Sequence, residues 1–245
     1  MSTDKKVALI SGANKGIGLE TARQLGKKGI TVLLGARDLA RGEAAAESLK
    51  KDGIDAKAIK FDVVNTADIK AAAEKVEKEY GKLDILINNA GVMTEPIGGN
   101  NSSTVSEQVL RDTFETNFFS VIAVTNAFLP LLKKSDAGRI VNVSSILGSL
   151  TLHANEGSPI YGAKALAYDS SKTALNSYTV HLAHELKETG IKVNSAHPGW
   201  VKTDLGTDAA PMDVVDGAKT EVELATLGPD GPTAGFFHLG EAISW

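Results

Sequence analysis

The stretch "VALISGANKGIGLETARQL", residues 7–25, joins a short apolar run to a glycine-spaced turn and then to a segment with helical periodicity. "VALIS" (7–11) reads as a strand buried on both faces, because it is short, branched and bounded by glycine. Gly12, Gly16 and Gly18 follow in a G-x-x-x-G-x-G spacing. One glycine permits a tight turn, one lets the backbone approach a pyrophosphate, and one lets the helix pack closely on the strand. The helix N-terminus then offers unpaired N–H groups and a positive dipole end to phosphates. The loop residues Gly12, Asn14, Lys15, Gly16, Ile17 and Gly18 are therefore expected to bind a nucleotide.

Working outward, short apolar runs recur at 31–36, 56–61, 83–89, 139–145, 191–197 and 234–239. Helical stretches fall between them at 17–28, 38–52, 66–80, 104–133 (read as broken into two), 165–188 and 213–226. Strands apolar on both faces and separated by helices indicate a parallel sheet covered on both sides. Right-handed crossovers make it doubly wound. The expected architecture is one α/β domain over residues 1–245, Rossmann-type, with a central, mostly parallel seven-stranded sheet. No Pro-rich or Gly/Ser-rich linker divides the chain, and no internal repeat is evident.

Composition narrows the function. A net charge of −4 and a pI near 5.8 give no support for nucleic acid or an anionic membrane surface as partner. The absence of cysteine excludes thiol catalysis, disulfides and thiolate metal sites. "MSTDKKVALISGA" (1–13) has too short an apolar run for a signal peptide, and no run of roughly 18 apolar residues stands out as a membrane helix. A cytoplasmic protein is the expectation. No metal site is expected: His181 and His184 lie three apart, with neither an H-E-x-x-H pattern nor a carboxylate cluster. No G-x-S-x-G elbow supports serine hydrolysis.

The end of the second strand bears on which nucleotide binds. An acid there usually bonds the adenosine ribose hydroxyls of NAD; this chain has Ala36 followed by Arg37. A guanidinium can bind a 2′-phosphate through a charged fork, and Lys15 is placed to add a second cation. At about 1.5–3 kcal/mol for each charge-assisted bond, the two could favour NADP(H) about a hundredfold. Asp38 beside Arg37 keeps open the alternative that both cations are merely solvated.

Further along, "SPIYGAKALAYDSSKTAL" (158–175) holds two tyrosines, each followed closely by a lysine. Tyr168 and Lys172 stand at i and i+4 at the start of a long helical segment, so they share a face. Tyr161, between Pro159 and Gly162, reads as a loop residue, with Lys164 only three positions on. A lysine ammonium close to a phenol favours the phenolate, so a tyrosine with its lysine on one face suits proton transfer at an oxygen.

From "SGANKGIG" (11–18) through "FDV" (61–63), "NNAG" (88–91), Asn117 in "ETNFFS", "VNVSS" (141–145), "YDSSK" (168–172) and "HPGWVKTD" (197–204), the sequence resembles the short-chain dehydrogenase/reductase family. The likeness is greatest to its carbonyl-reductase-like branch and runs from about residue 6 to the C-terminus. It implies that Asp62 bonds the adenine amino group with Val63 alongside, and that Asn89, Ala90 and Gly91 line the cofactor. Pro198, Gly199, Val201 and Thr203 would hold the nicotinamide end. Ser145 would bond the substrate oxygen with Ser144 behind it, and Tyr168 would move the proton. Lys172 would hold the ribose and tune the phenol, with Asn117 anchoring a water behind it. NADP(H) is the implied cofactor.

Ser145 and Tyr168 are 23 residues apart, where most of the family uses roughly a dozen. The extra residues, about 147–166, are expected to rise as one wall of the substrate cleft, with Leu152, His153 and Tyr161 near the substrate. Met93, Ile146, Trp200, Val201 and Met212 are expected to make the pocket apolar, under a lid at about 203–225. The run "FFSVIAVTNAFLPLL" is apolar enough for either a buried helix or a partner surface, so monomer and homo-oligomer stay open. The expected function is NADPH-dependent reduction of ketones or aldehydes. The alternatives are a secondary alcohol dehydrogenase using NAD and a non-catalytic NADP(H) sensor.

Overall fold

Burial on both faces dictates the sheet: the strands Val7–Ser11 (β1), Thr31–Ala36 (β2), Ile85–Asn88 (β4) and Arg139–Val143 (β5) are buried at every position. A computed structural model describes residues 5–99 and 101–245; residues 1–4, the start of the segment read for a leader, lie outside them. With Ala56–Lys60 (β3), Lys192–Ala196 (β6), Phe236–His238 (β7) and Glu241–Ala242 (β8), the sheet runs in the order β3-β2-β1-β4-β5-β6-β7-β8. All pairings are parallel except β7 with β8.

The eighth strand, absent from the seven-strand expectation, closes a two-residue hairpin through Leu239 (φ 48) and Gly240 (φ 84). Positive φ at both positions is the geometry for which Asn-Gly is the usual signal. Leucine at the first position hides that turn in the sequence.

One hydrophobic core lies on each face. On one, α1 (Gly16–Lys27) buries Gly18, Thr21, Ala22 and Leu25, spaced along a single stripe. It joins α2 (Leu39–Lys51), which is capped by the Asp38 side chain accepting from Arg41 N–H at 3.1 Å. On the other face, α3 (Thr66–Tyr80) starts under an Asn65 cap and stops at Gly81, whose φ of 74 is the left-handed conformation glycine adopts at helix ends.

The stretch expected to break in two is one continuous helix: α4 (Glu107–Phe114), a π turn (Glu115–Phe119) and α5 (Ser120–Leu132). Its 26 residues have an 18-residue window of mean hydropathy 1.2, so by length and composition it could cross a bilayer, contrary to the sequence expectation; 44% of that window is buried inside the fold. The interior face also carries polar residues. Asn88 Nδ2 donates to Thr125 Oγ1 (3.1 Å) and to Asn142 Oδ1 (2.9 Å), and Asn142 Nδ2 donates to Thr179 Oγ1 (2.9 Å). This buried chain fastens α5 and α7 (Leu166–Glu185) across β4 and β5.

The 147–166 segment is not irregular throughout. A 3-10 turn (Ile146–Gly148) and a short α6 (Leu150–Ala154) precede α7. The stretch expected as a helix over 213–226 forms two, α8 (Val214–Gly217) and α9 (Lys219–Ala225).

Candidate active site

Strand order reverses at β1, whose neighbours are β2 on one side and β4 on the other. At such a switch point the loops leaving the carboxyl ends of the strands diverge and open a crevice. A cleft of about 1220 Å³ lies there. It is lined by Gly12, Asn14, Lys15, Gly16, Ile17, Gly18, Arg37, Asp62, Val63, Asn89, Ala90 and Gly91, and beyond them by Pro198, Gly199, Val201 and Thr203. Tyr168, Lys172 and Ser145 line the same cleft, with Met93, Ile146 and Trp200.

The glycine turn is a cradle a side chain would fill. A Cβ on Gly12 (φ +66) would lie 3.2 Å from both Ala90 Cα and Asn89 Nδ2, and one on Gly18 only 2.5 Å from Asn89 Nδ2. Asn89 makes that approach because its Nδ2 donates to Ser11 C=O at 2.8 Å, while the Ser11 hydroxyl accepts from the Asn89 and Ala90 N–H groups, each at 3.0 Å. Gly16 (φ +58) would direct its Cβ toward Thr203 Cγ2, 3.6 Å away. Helix α1 has neither a side-chain N-cap nor an acid in its first turn. Its free N–H groups therefore suit an anion, and a dinucleotide pyrophosphate fits this donor set.

Cations line the cleft beyond the end of β2. Asp38 is engaged as the α2 cap and with Arg41 Nε at 3.5 Å, rather than with Arg37. The exposed Arg37 guanidinium has no ion pair among the described residues. Arg41, which sequence reasoning missed, also lines the cleft; its place one helical turn after Arg37 was the available signal. Lys15 pairs with Asp204 across the cleft mouth.

The chemistry-bearing side chains converge from three elements. Ser145 follows β5 and caps the 3-10 turn, its hydroxyl accepting from Leu147 N–H at 3.2 Å. Tyr168 and Lys172 share one face of α7, and the Lys172 Nζ lies 5.6 Å from the Tyr168 ring centre. Nζ donates to Val143 C=O at 2.7 Å, which leaves two of its three protons free. Gly148 allows the close packing: a Cβ there would sit 2.9 Å from the Lys172 carbonyl carbon. Ser144 is turned away, its Oγ 3.5 Å from Lys172 C=O.

Burial governs the protonation of these groups. The Tyr168 phenol is pushed up to about 12, chiefly by desolvation, against a lowering hydrogen bond from Ser145 and reinforced by Asp169. Lys172 is drawn down to about 8, again by burial, with Glu221 opposing. Burial sets this proton, and in this state the phenol is neutral. Near neutral pH the phenol is a proton donor.

Asn117 sits in the π turn, fully buried. Its Oδ1 accepts from Val92 N–H at 2.8 Å, and its Nδ2 donates to Val92 C=O at 2.8 Å and Ser171 Oγ at 3.0 Å. A Cβ on Gly91 would lie 3.4 Å from Asn117 Oδ1 and 3.5 Å from Lys172 Nζ, so the two groups are neighbours across a glycine. The extra residue in a π turn rotates Asn117 inward.

Four residues expected at the substrate pocket, Leu152, His153, Tyr161 and Met212, lie outside the cleft lining. His153 Nε2 faces Leu147 C=O (2.9 Å) and Asp169 Oδ2 (3.3 Å), and its Nδ1 meets Lys164 Nζ at 2.9 Å. These polar partners hold it behind the wall, outside the cleft. Tyr161 is exposed, with Lys164 Nζ 5.1 Å from its ring centre. Leu152 also lies outside the cleft lining. Met212 packs its sulfur against Gly199, and its backbone pairs with Trp200 and Lys202. The wall instead contributes Leu147, Pro159, Ile160 and Ala163, and the β4 loop contributes Ile97. Their only signal was apolarity within a loop.

The family model for short chain dehydrogenase matches residues 6–213. The chain belongs to that family. "Short-chain dehydrogenase/reductase 1" of Saponaria officinalis is 35% identical over 98% of this chain and 96% of its own length. "Carbonyl reductase [NADPH] 3" of Rattus norvegicus is 35% identical over 94% of each chain. Among solved structures, an NADPH-bound carbonyl reductase from chicken fatty liver superposes with a TM-score of 0.85 at 27% identity, covering 98% of this chain and 99% of that one.

Proposed function

We propose that this single domain is an NADPH-dependent carbonyl reductase that converts ketones or aldehydes to alcohols. The observation that carries the reading is the Tyr168 phenol, buried beside Ser145 and on the same helix face as Lys172, with burial holding it at about 12. A carbonyl reduced by hydride needs a proton at its oxygen, and a phenol held neutral supplies one. The likeness to the rat and chicken carbonyl reductases supports the same class.

NADPH, when bound, supplies the hydride. The α1 N–H groups would hold its pyrophosphate, and Arg37 and Lys15 its 2′-phosphate, with Asp62 and Val63 at the adenine. Pro198, Gly199, Val201 and Thr203 would hold the nicotinamide end. Ser145 Oγ orients the substrate oxygen toward Tyr168, whose hydroxyl gives it a proton. Lys172 would hold the ribose hydroxyls through its free N–H groups and sits ready to return a proton toward the phenol. Asn117 keeps the Val92 backbone and Ser171 in place behind it.

The substrate end is framed by Met93, Ile97, Ile146, Leu147, Ile160 and Trp200. Among the described residues at that end, Lys202 is paired with Asp213 at 3.5 Å and no pair of cations is set to clamp a substrate carboxylate, so aromatic or medium-sized aliphatic carbonyls fit best. The wall over 147–166 and the segment over 203–225, tied by Trp200 Nε1 donating to Gly206 C=O at 2.7 Å, would bound that pocket. The test is initial rates of NADPH and NADH oxidation with aryl ketones, aliphatic ketones, diketones and aldehydes. Carbonyl-dependent turnover favouring NADPH supports the reading. Binding of NADPH with no turnover across the panel, or oxidation of secondary alcohols with NAD alone, overturns it.

A further inference from the structure

Helix α7 carries Tyr168 in its first turn, yet its own N-cap, Ala165, has no side chain able to accept a hydrogen bond. Two of its free N–H groups are taken by a residue 72 and 73 positions earlier in the chain: Glu95 Oε1 accepts from Ala167 N–H at 2.5 Å and from Tyr168 N–H at 3.3 Å. A third group is satisfied locally, Ala165 N–H donating to Asp169 Oδ2 at 2.9 Å. Glu95 is 3% exposed, and its second oxygen, Oε2, is buried with no hydrogen-bond partner among the described residues. A buried carboxyl group held chiefly by helix N–H groups costs solvation, and the helix end provides donors and a positive dipole to offset it.

The segment bearing Glu95 is fastened at both ends. Val92 is held through both backbone groups by Asn117, and Thr94 Oγ1 meets Thr113 Oγ1 at 2.9 Å. Gly98 N–H donates to Lys164 C=O at 2.8 Å. Between these anchors, Met93 and Ile97 line the cleft. Glu95 therefore links the loop leaving β4, which lines the cofactor end, to the backbone of the residue that moves the proton.

We propose that Glu95 is a positioning residue for Tyr168. By capping α7 from outside, it sets the axial position and rotation of the helix's first turn, and so where the phenol stands relative to Ser145 and the substrate oxygen. This rests on the carbonyl-reductase reading. Displacement of a reacting group by about 1 Å can cost roughly a hundredfold in rate, so an uncapped, fraying first turn should lower kcat while the cofactor-binding loops stay intact.

The test compares Glu95→Ala, Glu95→Gln and Glu95→Asp with the wild-type chain, using kcat and KM for a carbonyl that the wild type reduces, NADPH dissociation constants from fluorescence, and thermal melts. Glu95→Ala is expected to lose about tenfold to a hundredfold in kcat, with the NADPH constant little changed. Glu95→Gln, which keeps an acceptor oxygen at the same reach, is expected to retain most of kcat. Should Glu95→Ala not fold, Glu95→Asp keeps the charge but shortens the reach by one methylene, and is expected to show the same loss confined to kcat. A folded Glu95→Ala with wild-type kcat overturns the proposal, as does Glu95→Gln as impaired as Glu95→Ala, or Glu95→Asp indistinguishable from wild type. A wild-type chain that reduces no carbonyl tells against the functional reading instead, and is recognised before any variant is compared.

Discussion

Lys15, in the glycine loop, and Asp204, beyond β6, form an ion pair across the mouth of the nucleotide cleft. Lys15 is one of two cations assigned to the cofactor 2′-phosphate, so Asp204 competes with that phosphate for it. Both side chains are largely exposed, and exposed pairs are weak. Asp204→Asn should therefore lower the KM for NADPH about two- to fivefold, with the KM for NADH unmoved. Steady-state kinetics with both cofactors decides it; an equal shift for both would show that Asp204 acts on the loop and not on the phosphate.

Arg37 provides the complementary case. Its guanidinium lies exposed at the cleft while Asp38 is occupied as the α2 cap. Arg37→Ala should raise the KM for NADPH about ten- to a hundredfold, as expected for losing a charge-assisted pair, and leave NADH nearly unaffected. Equal effects on the two cofactors would remove Arg37 from the 2′-phosphate site.

The two tyrosines separate cleanly by location. Tyr168→Phe removes the only phenol among the described residues lining the cleft, and kcat for reduction should fall about 10²–10⁴-fold with NADPH binding preserved. Tyr161 stands outside the cleft beneath Lys164, so Tyr161→Phe should keep nearly full activity. Because burial holds the Tyr168 phenol at about 12, kcat for reduction should show no phenol-dependent decline between pH 6 and 9. A falling limb in that range that disappears in a tyrosine variant would contradict the assignment of a neutral phenol.

Stability should depend on pH through Glu221, fully buried in α9 and accepting from Thr21 Oγ1 at 2.8 Å. Desolvation raises it from 4.5 to about 8. Its pKa is higher folded than unfolded, so the folded state binds more protons between these values. The stability it contributes is full below 4.5 and is lost as pH rises through 8. Between pH 6.5 and 8 that amounts to on the order of 2 kcal/mol, or a Tm decline of about 4–8 °C. His197, drawn down to about 3 by burial, and Lys172, drawn down to about 8, act in the opposite sense at the two edges of that window and offset part of the decline. Melts across it should show the decline in the wild type and a flatter profile in Glu221→Gln; identical slopes would mean that Glu221 stays charged.

Much of the nucleotide half could be read directly because its determinants are local. A buried strand, a glycine turn and a helix stripe all lie within residues 7–25, and the i, i+4 spacing of Tyr168 and Lys172 is a property of one helix. Seven strands announced themselves through short apolar or branched runs, four of them buried at every position. β8 did not, because two residues carry no periodicity and its turn lacks the usual residue.

The wall shows where local reading stops. "LHANEGSPIYGAKALA" (152–167) shows that a segment stands between β5 and α7, but not which side chains face the cleft. His153 looks like a site residue in isolation. It turns away because Leu147 C=O, Asp169 and Lys164 satisfy it behind the wall, while Ile160 and Leu147 take the cleft face.

What the sequence determined by itself is the seven longer strands with helices between them, the nucleotide turn and the tyrosine with its lysine, because each depends on backbone preference and side-chain period within a few residues. Only the tertiary structure decided that Glu95 caps α7, that Asn117 turns inward through a π turn, and that burial keeps the Tyr168 phenol neutral. Those outcomes depend on which polar groups, far apart in the chain, lose water together and must find one another as partners.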